Sequence, residues 1–575
     1  MRILLLTHAF NSLTQRLAAE LQGRGHETSI EFDIADSVAE EAVGLFKPQL
    51  IVAPYLRRAV PESIWSRHVC LIVHPGVIGD RGPSALDWAI QEGQTEWGVT
   101  VLQAEAEMDA GPIWASAVFS LRGAKKSSIY RNEVTQAATG AVLLAVERFA
   151  AGGFRPAPLA ECSNARGSLR PLIKQADRSI DWRRDDTITV LRKLNAADGF
   201  PGVADTLFDE SCHLFDAWPE ATLRGAPEAM PGDLLARRET AVLRRTIDGA
   251  VWIGHAKRAG GIKLPVTLAF TAESAALPEA PLSSWWRVDR DTWQDISYEE
   301  SDGVGFLHFE FYNGAMSTSQ CERLRAALAW AKQRPVKLLV LMGGADFWSN
   351  GIHLNVIEAA ESPADESWNN INAMNDLARE LIESGGQITV AALAGNAGAG
   401  GCFLARAADL VWARDGVILN PHYKNMGNLY GSEYWTYLLP RRLGEAGVGE
   451  QSLAIMRNRQ PLTARGAAET GFTDACLVGD AQAFRIDVAR RAAEIAAAPE
   501  LDAQLEAKRE RRARDEAAKP LAAYREEELT HMRRNFYGFD PSYHVARHHF
   551  VRKSLASWTP RHLARHRDLN WRVAE

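Results

Sequence analysis

No two of the six cysteines stand in a CxxC pair: Cys70, Cys162, Cys212, Cys321, Cys402 and Cys476 are scattered through 575 residues. That spacing argues against a disulfide framework and a zinc ribbon and fits a reducing compartment. The chain also lacks any apolar run of the roughly 18 residues that a membrane span requires. Its opening stretch, Met1-Arg2-Ile3-Leu4-Leu5-Leu6, is too short for the apolar region of a secretory signal. A cytoplasmic protein with no membrane partner is therefore expected. No tract consists of Lys and Arg alone, and the formal charge is only -7, so nucleic acid is not the expected partner. No internal repeat is present. What remains is small-molecule chemistry on a chain too long for one hydrophobic core.

Short apolar runs at Ile3–Leu6, Leu50–Ala53 and Val69–Val73 alternate with amphipathic stretches at Leu13–Leu21 and Ser84–Gln91. This is the pattern of a doubly wound parallel sheet. A helix over 128–149, stopped by Gly152-Gly153 with Pro156 and Pro158 beyond, closes a first, Rossmann-like domain at residue 155. Residues 156–272 hold strand-like pieces at Ala250–His255 and Val266–Phe270, a small β-rich subdomain. An Ala/Pro/Ser-rich stretch over 273–296 has linker composition. A second α/β pattern fills 297–480, with parallel strands expected at 305–311, 336–342 and 388–394. One of its helices opens near Ser317 or Ser319, with Gln320 or Glu322 placed for a capping box. The Ala/Arg/Glu-rich remainder, 481–575, predicts a helical extension. The fold class is α/β multidomain.

The run Val73-His74-Pro75-Gly76-Val77-Ile78-Gly79-Asp80-Arg81-Gly82-Pro83 is followed by Trp97-Gly98-Val99-Thr100-Val101 and Asp109-Ala110-Gly111-Pro112-Ile113. A histidine at a strand end suits a proton shuttle, and a nearby acid would orient its ring. The bland alternatives are a structural histidine beside Pro75 and a plain Asp-Ala-Gly turn. Together with Trp88-Ala89-Ile90, Gly93, Ile180-Asp181-Trp182 and Phe200-Pro201-Gly202, these segments resemble the 10-formyltetrahydrofolate-dependent formyltransferases and hydrolases over about the first 270 residues. The later segments match the C-terminal subdomain of the methionyl-tRNA type. The resemblance implies catalysis by His74 with Asp109 as its orienting acid, and folate contacts at Gln15, Arg81 and Arg131. For Gln15 and Arg131 a solvated helix position is the alternative. One position departs from the family pattern, because Ile72 stands where Asn is usual two residues before the histidine. Either backbone N–H groups replace that amide, or the nucleophile needs less help than an amine does; a thiol is such a nucleophile.

Further along, Phe347-Trp348-Ser349-Asn350-Gly351-Ile352-His353-Leu354 and Ala394-Gly395-Asn396-Ala397-Gly398-Ala399-Gly400-Gly401-Cys402 each follow an apolar strand. A Gly-rich turn opening a helix leaves N–H groups aimed outward. Alone it reads equally as a dinucleotide loop or a tight turn, although Phe403 stands where a third fingerprint glycine would be. With Asp409-Leu410-Val411 and Asn420-Pro421, the two segments resemble the enoyl-CoA hydratase/isomerase (crotonase) family. That resemblance implies an oxyanion hole at the N–H of Ile352 and Gly400, and coenzyme A contacts at Gly351, Ala399 and Gly401. The two hydratase glutamates are replaced by Phe403 and His422, so water addition is not expected. Tyr423 and Glu433 are the preferred acid-base pair, with His422 in reserve; surface positions are the alternative for the first two.

The succession of these parts resembles the HypX (HoxX) family of hydrogenase maturation factors over essentially the whole chain. The resemblance implies formyl transfer from 10-formyltetrahydrofolate to coenzyme A, decarbonylation of formyl-CoA, and delivery of CO to a nickel-iron hydrogenase. Hydrogenase maturation proteins or a hydrogenase precursor are then the protein partners. Two other readings stay open: a formyl-folate hydrolase or amine formyltransferase with a regulatory CoA-binding domain, and a CoA-binding scaffold. In the tail, His544 with His548 and His562 with His566 have metal-ligand spacing. Neighbouring Arg547, Arg552, Lys553, Arg561 and Arg565 oppose a cation, so no metal is expected; a basic surface for an anionic ligand is the alternative.

Overall fold

The all-apolar run Ile3–Leu6 forms the middle of β1 (Arg2–Thr7), where alternate side chains enter two different cores. In the computed structural model, which describes residues 1–221, 228–289 and 291–568, Ile3 and Leu5 pack with Leu13, Leu17 and Val142 on one face. Leu4 and Leu6 pack with Ala39, Ala42 and Phe46 on the other. β2 (Glu27–Phe32), β3 (Leu50–Tyr55), β4 (Cys70–His74), β5 (Glu96–Gln103) and β6 (Ile113–Ser120) complete a sheet of order β2-β1-β3-β4-β5-β6. The first four strands are parallel, as the pattern predicts. β5 and β6 depart from it and run antiparallel, and the 104–112 connection between them is too short for a crossover helix. The helix expected over 128–149 comes in three pieces: Lys126–Ile129, a π-helical turn at Tyr130–Val134, and Thr135–Ala151, which Gly152 stops at φ +67.

A second, antiparallel sheet follows, built from β7 (Val203–Leu207), β8 (Glu210–Glu220), β9 (Leu234–Arg238), β10 (Ala241–Arg245), β11 (Ala250–Arg258) and β12 (Lys263–Pro265). Its order is β7-β8-β11-β10-β9, with β12 on β11. The expected strand at Val266–Phe270 is corrected: Val266–Ala269 is a helical turn. Pro265 ends the ladder because it has no N–H to donate, and it is well placed to open a helix.

β13 (Ile296–Ser301) and β14 (Val304–Phe309) form a hairpin that leads into β15 (Leu338–Leu341), β16 (Phe347–Ser349), β17 (Ile388–Leu393), β18 (Asn396–Gly398), β19 (Leu410–Arg414), β20 (Ile418–Asn420), β21 (Leu462–Thr463) and β22 (Ala475–Leu477). The long sheet runs β13-β14-β15-β17-β19-β22 and the short one β16-β18-β20-β21. Ser317 and Gln320 make the capping box of helix Thr318–Ala331. The pairs Phe347↔Asn396 and Ser349↔Ala397 between β16 and β18 set residues 350–352 beside 398–400, the two Gly-rich turns.

The chain divides into two units, Met1–Ala280 with the C-terminal segment from Leu555, and Pro281–Ser554. The stretch read as a linker is ordered at both ends. Thr271–Ala275 is helical and Ala280 N–H donates to Arg237 O at 2.9 Å, whereas Arg287 N–H donates to Tyr298 O at 2.8 Å. The helical extension also needs correction. Helices Ala481–Ala496, Leu501–Ala518, Leu521–Tyr537 and Ser542–Arg552 end at Lys553, and 555–568 holds only a 3-10 turn. The last seven residues of the predicted extension, 569–575, lie outside the described residues.

This returning segment covers the edge strand β2. Ile30 N–H donates to Leu563 O at 3.0 Å and Phe32 N–H to Thr559 Oγ1 at 2.9 Å, which protects an otherwise open edge. Glu31, fully buried, takes His566 Nε2 at 3.0 Å, Arg567 Nε at 2.6 Å and the Thr559 hydroxyl. Burial pushes the Glu31 carboxyl up, but His566, Thr559 and Arg567 outweigh it and hold the group below its ordinary 4.5. We expect His566→Ala to cost about 1–3 kcal/mol at neutral pH, the usual penalty for stripping a partner from a buried polar group. A lowered Tm measures it. The difference from wild type should shrink as pH falls below about 4.5, where the charged form of Glu31 contributes less and less.

Candidate functional site

In the first unit His74 stands at the C-terminal end of a parallel strand, where an open α/β sheet places its ligands. β4 stops at His74 because Pro75 cannot extend the ladder. The ring, 5% exposed, is flanked by an acid at each nitrogen: Nε2 lies 2.9 Å from Asp80 Oδ1 and Nδ1 lies 3.7 Å from Asp109 Oδ2. Asp109 sits at φ +58 in the β5–β6 connection and accepts the Gly82 N–H at 3.1 Å. So the structure does bring His74 and Asp109 together, at electrostatic rather than hydrogen-bonding range.

Sequence reasoning missed Asp80, which is closer. It is 2% exposed, and its Oδ2 has no hydrogen-bond partner among the described residues. The packing around it is tight enough to require glycine: a Cβ on Gly76 would sit 2.5 Å from His74 Nε2 and 2.7 Å from Asp80 Oδ1. The signal was an acid six residues after the histidine, inside the same Gly-rich run.

Gln15 lies on helix Ser12–Gly23 and donates through Nε2 to Phe10 O at 2.9 Å; Arg131 lies in the π-helical turn. The two elements meet at Asn11 Nδ2 and Tyr130 Oη, 3.5 Å apart. Arg81 is ion-paired with Glu107 near the surface.

In the second unit Gly351, at φ +77, lies against the start of helix Gly400–Arg406; a Cβ there would come 3.3 Å from Gly400 N. Among the described residues the N–H groups of Ile352 and Gly400 donate to no protein acceptor. Ala399 precedes them at φ +47, and a Cβ on Gly401 would strike Ser349 O at 2.0 Å. The carboxyl of Glu433 sits over this turn: a Cβ on Gly400 would lie 2.2 Å from Glu433 Oε1. Tyr423 Oη is 2.5 Å from Glu433 Oε2 and 3.0 Å from Ser432 O. A phenol has one proton and cannot serve both acceptors. A protonated Glu433 that donates to Oη, while Oη donates to Ser432 O, satisfies all three groups. Phe403, where a hydratase has glutamate, stacks on the Tyr423 ring with centroids 5.7 Å apart and planes 10° apart. Tyr423, Glu433 and His422 are all buried, which removes the surface alternative.

Glu433 and Tyr434 are consecutive non-glycine residues at φ +58 and +60. Each such conformation costs about 1–2 kcal/mol and persists only where the surroundings enforce it. Asn375 Oδ1 accepts Ser432 Oγ–H at 2.9 Å and Glu433 N–H at 2.8 Å. Glu528, from helix Leu521–Tyr537, accepts Tyr434 N–H at 3.0 Å, Thr436 N–H at 2.9 Å and Thr436 Oγ1–H at 2.6 Å. Neither residue carried a sequence signal: Glu528 closes an Arg-Glu-Glu-Glu run that reads as a solvated helix face. Burial pushes Glu433 up to about 8 against the Tyr423 hydrogen bond, and the Glu528 charge adds to the rise. Burial likewise carries Glu528 up to about 7 against its donors, and Tyr423 well above its usual range.

The tail histidines take separate partners. His544 Nε2 meets Phe536 O at 2.8 Å, and His548 Nδ1 meets Glu358 at 2.8 Å beside a buried Arg547–Glu358 pair. His566 belongs to the Glu31 cluster. Among the described residues no group of three or more His, Cys, Asp or Glu is arranged to hold a metal ion.

A histidine between two acids on a Rossmann-like sheet, followed by a Gly-rich strand-turn-helix with two unengaged N–H groups, defines a two-module protein: a formyltransferase-type domain joined to a crotonase-like unit. Residues 24–146 match the formyl transferase family, 172–272 the formyl transferase C-terminal domain, and 303–558 the enoyl-CoA hydratase/isomerase family. The hydrogenase maturation factor HoxX of Bradyrhizobium diazoefficiens is 52% identical over 569 residues, covering 99% of this chain and 97% of that protein. The crystal structure of HypX from Aquifex aeolicus in complex with tetrahydrofolic acid is 47% identical and covers 100% of both chains, with a TM-score of 0.95. A methionyl-tRNA formyltransferase of Paraburkholderia phymatum is 27% identical over 237 residues, 40% of this chain and 66% of that protein. The chain belongs to the HypX/HoxX family of hydrogenase maturation factors.

The raised acids have a consequence for stability. Between the ordinary value of 4.5 and about 8, folded Glu433 holds a proton that the unfolded chain has lost, so its contribution declines as pH rises through that window. We expect Glu433→Gln to flatten the fall of Tm between about pH 5 and about pH 8 relative to wild type. Parallel melting curves for the two proteins across that window would show that Glu433 is not the group responsible.

Proposed function

We propose that this protein makes carbon monoxide for the nickel-iron hydrogenase active site, in two steps joined by a formyl thioester. The observation that carries the proposal is the Tyr423–Glu433 pair packed against the Gly400 Cα, on a crotonase scaffold whose hydratase acids are replaced by Phe403 and His422. The Aquifex relative bound to tetrahydrofolic acid supports a folate substrate for the first unit.

In the first step the thiol of coenzyme A attacks the formyl carbon of 10-formyltetrahydrofolate. A C–S bond forms, the C–N10 bond breaks, and the thiol proton ends on N10. His74 moves that proton, and Asp109 and Asp80 hold the imidazole from its two sides. Gln15, Arg81 and Arg131 stand as folate contacts, although Arg81 must first exchange its Glu107 partner. Ile72 offers no amide to the formyl oxygen, which suits a thiol better than an amine.

In the second step the formyl oxygen accepts the N–H groups of Ile352 and Gly400, with the thioester held by the backbone at Gly351, Ala399 and Gly401. Glu433 in its ionised form removes the formyl proton, the C–H electron pair becomes the carbon lone pair of CO, and the C–S pair leaves on sulfur. Tyr423 relays a proton to the thiolate. No oxidant or reductant is consumed, and coenzyme A returns as the thiol. A carboxyl raised to about 8 is matched to proton transfer near neutral pH. His422, buried next to Tyr423, is the reserve acid-base group. The product goes to a hydrogenase precursor or another maturation protein in the cytoplasm; among the described residues no helix is long and apolar enough to cross a membrane.

The deciding assay supplies formyl-labelled tetrahydrofolate and coenzyme A and follows labelled CO together with free tetrahydrofolate. Labelled formate in place of CO would favour a hydrolase, and no turnover a scaffold. His74→Ala, Asp109→Asn and Asp80→Asn should each slow tetrahydrofolate formation by about two orders of magnitude or more. Near-normal consumption by any one of them removes that residue from the site. Glu433→Gln and Tyr423→Phe should abolish CO while the folate site still releases its formyl group, so that formyl-CoA accumulates or hydrolyses. Saturating coenzyme A should also raise the Tm, since a ligand at a hundred times its Kd adds about 2.7 kcal/mol to the native state. An unmoved Tm would remove coenzyme A from the reading.

A further inference from the structure

We propose that Glu528 is a positioning residue for Glu433: its carboxylate clamps the turn at 432–436 that presents Glu433 over Gly400, and its negative charge governs how Glu433 holds its proton. This deepens the decarbonylation reading and rests on it for the turnover half of the test. The geometric case is independent of that reading.

Glu528 is wholly buried on a helix about 95 residues beyond Glu433 in sequence, and it reaches the turn from outside the two Gly-rich segments. It accepts two main-chain N–H groups and one hydroxyl from Tyr434 and Thr436, and Ser432 Oγ lies 3.3 Å away. Those donors belong to the residues on either side of Glu433, and two of the four residues from Ser432 to Trp435 take left-handed conformations that they would not choose unaided. Asn375 holds the near side of the same turn through Oδ1. A backbone so placed leaves Glu433 no other direction than over the helix start, where only a glycine at 400 makes room for its carboxyl.

Glu528 is also the nearest like charge. The titratable groups that act on or feel Glu433 are Tyr423 on its own loop, Glu528 on helix Leu521–Tyr537 and Cys321 on helix Thr318–Ala331. Asn375, on helix Pro363–Ile382, is neutral. Arg379 and Arg525 act on Tyr434 instead. Of these only Glu528 brings a negative charge that opposes ionisation of Glu433, whereas Tyr423 favours it by hydrogen bonding. Glutamine at 528 keeps the size and one acceptor oxygen. It removes the charge and turns an N–H donor toward a donor of the turn.

The test uses the full chain. Infrared difference spectra follow the carbonyl stretch of the buried protonated carboxyl in the free protein as pH is raised, with the band assigned by its loss in Glu433→Gln. In Glu528→Gln the Glu433 midpoint should fall by about half a pH unit or more. CO release should fall by about tenfold or more, with tetrahydrofolate formation by the first unit within about twofold of wild type. Should Glu528→Gln fail to fold, Thr436→Val, which removes one donor to Oε1 and with it part of the support for the charged form, should shift the midpoint in the same direction by less. A midpoint unmoved in the folded variant overturns the proposal, and so does wild-type CO release. If the wild-type protein itself makes no CO from formyl-CoA, the functional reading fails, and the infrared midpoint alone decides the role of Glu528.

Discussion

The second unit depends on a hydrogen atom, the one Gly400 carries in place of a side chain. A Cβ there would run into the Glu433 carboxyl, and a Cβ on the neighbouring Gly351 would come 3.3 Å from the Gly400 nitrogen that opens the helix. Because a Cβ at 400 would lie 2.2 Å from Glu433 Oε1, an acid and the start of the helix occupy one small volume. Gly401 serves the same approach from the other side, against Ser349 O. The short parallel sheet holds these turns in register, through pairs that involve only a few residues of β16 and β18. Most of the surrounding helices can be read as the packing needed to hold that register.

The first unit meets the same physical problem by related means. A buried imidazole between two acids is stable only if the acids are themselves held, and the 76–82 turn does this by close backbone approach. Gly76 leaves space for the His74–Asp80 contact, Gly167 lies against the main chain of Asp80, and Gly82 donates to Asp109 while its own Cα faces Arg170 O. In both units a buried acid lies beside a glycine, Asp80 by Gly76 and Glu433 by Gly400.

Features written in local pattern were legible from the sequence alone. The alternation of β1 between two cores, the stop at Gly152, the Ser317–Gln320 capping box and the two Gly-rich turns all follow from residues close together in the chain. Features set by distant pairing were not. β5 and β6 are as apolar as parallel strands and differ only in how they dock. Residues 555–568 lose their helical reading because the edge of β2 offers them hydrogen bonds that a free helix would not have. Asp80 gains its meaning only when the turn folds it back onto His74, and Glu528 only when its helix is laid over residues 432–436. Charged residues inside polar runs look alike in sequence whether they end in water or at the centre of a site.

The replacement of the hydratase acids by Phe403 and His422 bears on the competition that a formyl thioester faces. Hydrolysis to formate is its easiest fate, and a pocket that orders water between two glutamates would promote it. Phe403 substitutes an aromatic face for one of those carboxylates and stacks on the Tyr423 ring beside Glu433. The remaining acid shares a short hydrogen bond with Tyr423. Loss of carbon monoxide needs one proton removed and one returned but no water at all. On the reading proposed above, the replacements take away groups that would activate water, and the decarbonylation step has no use for water.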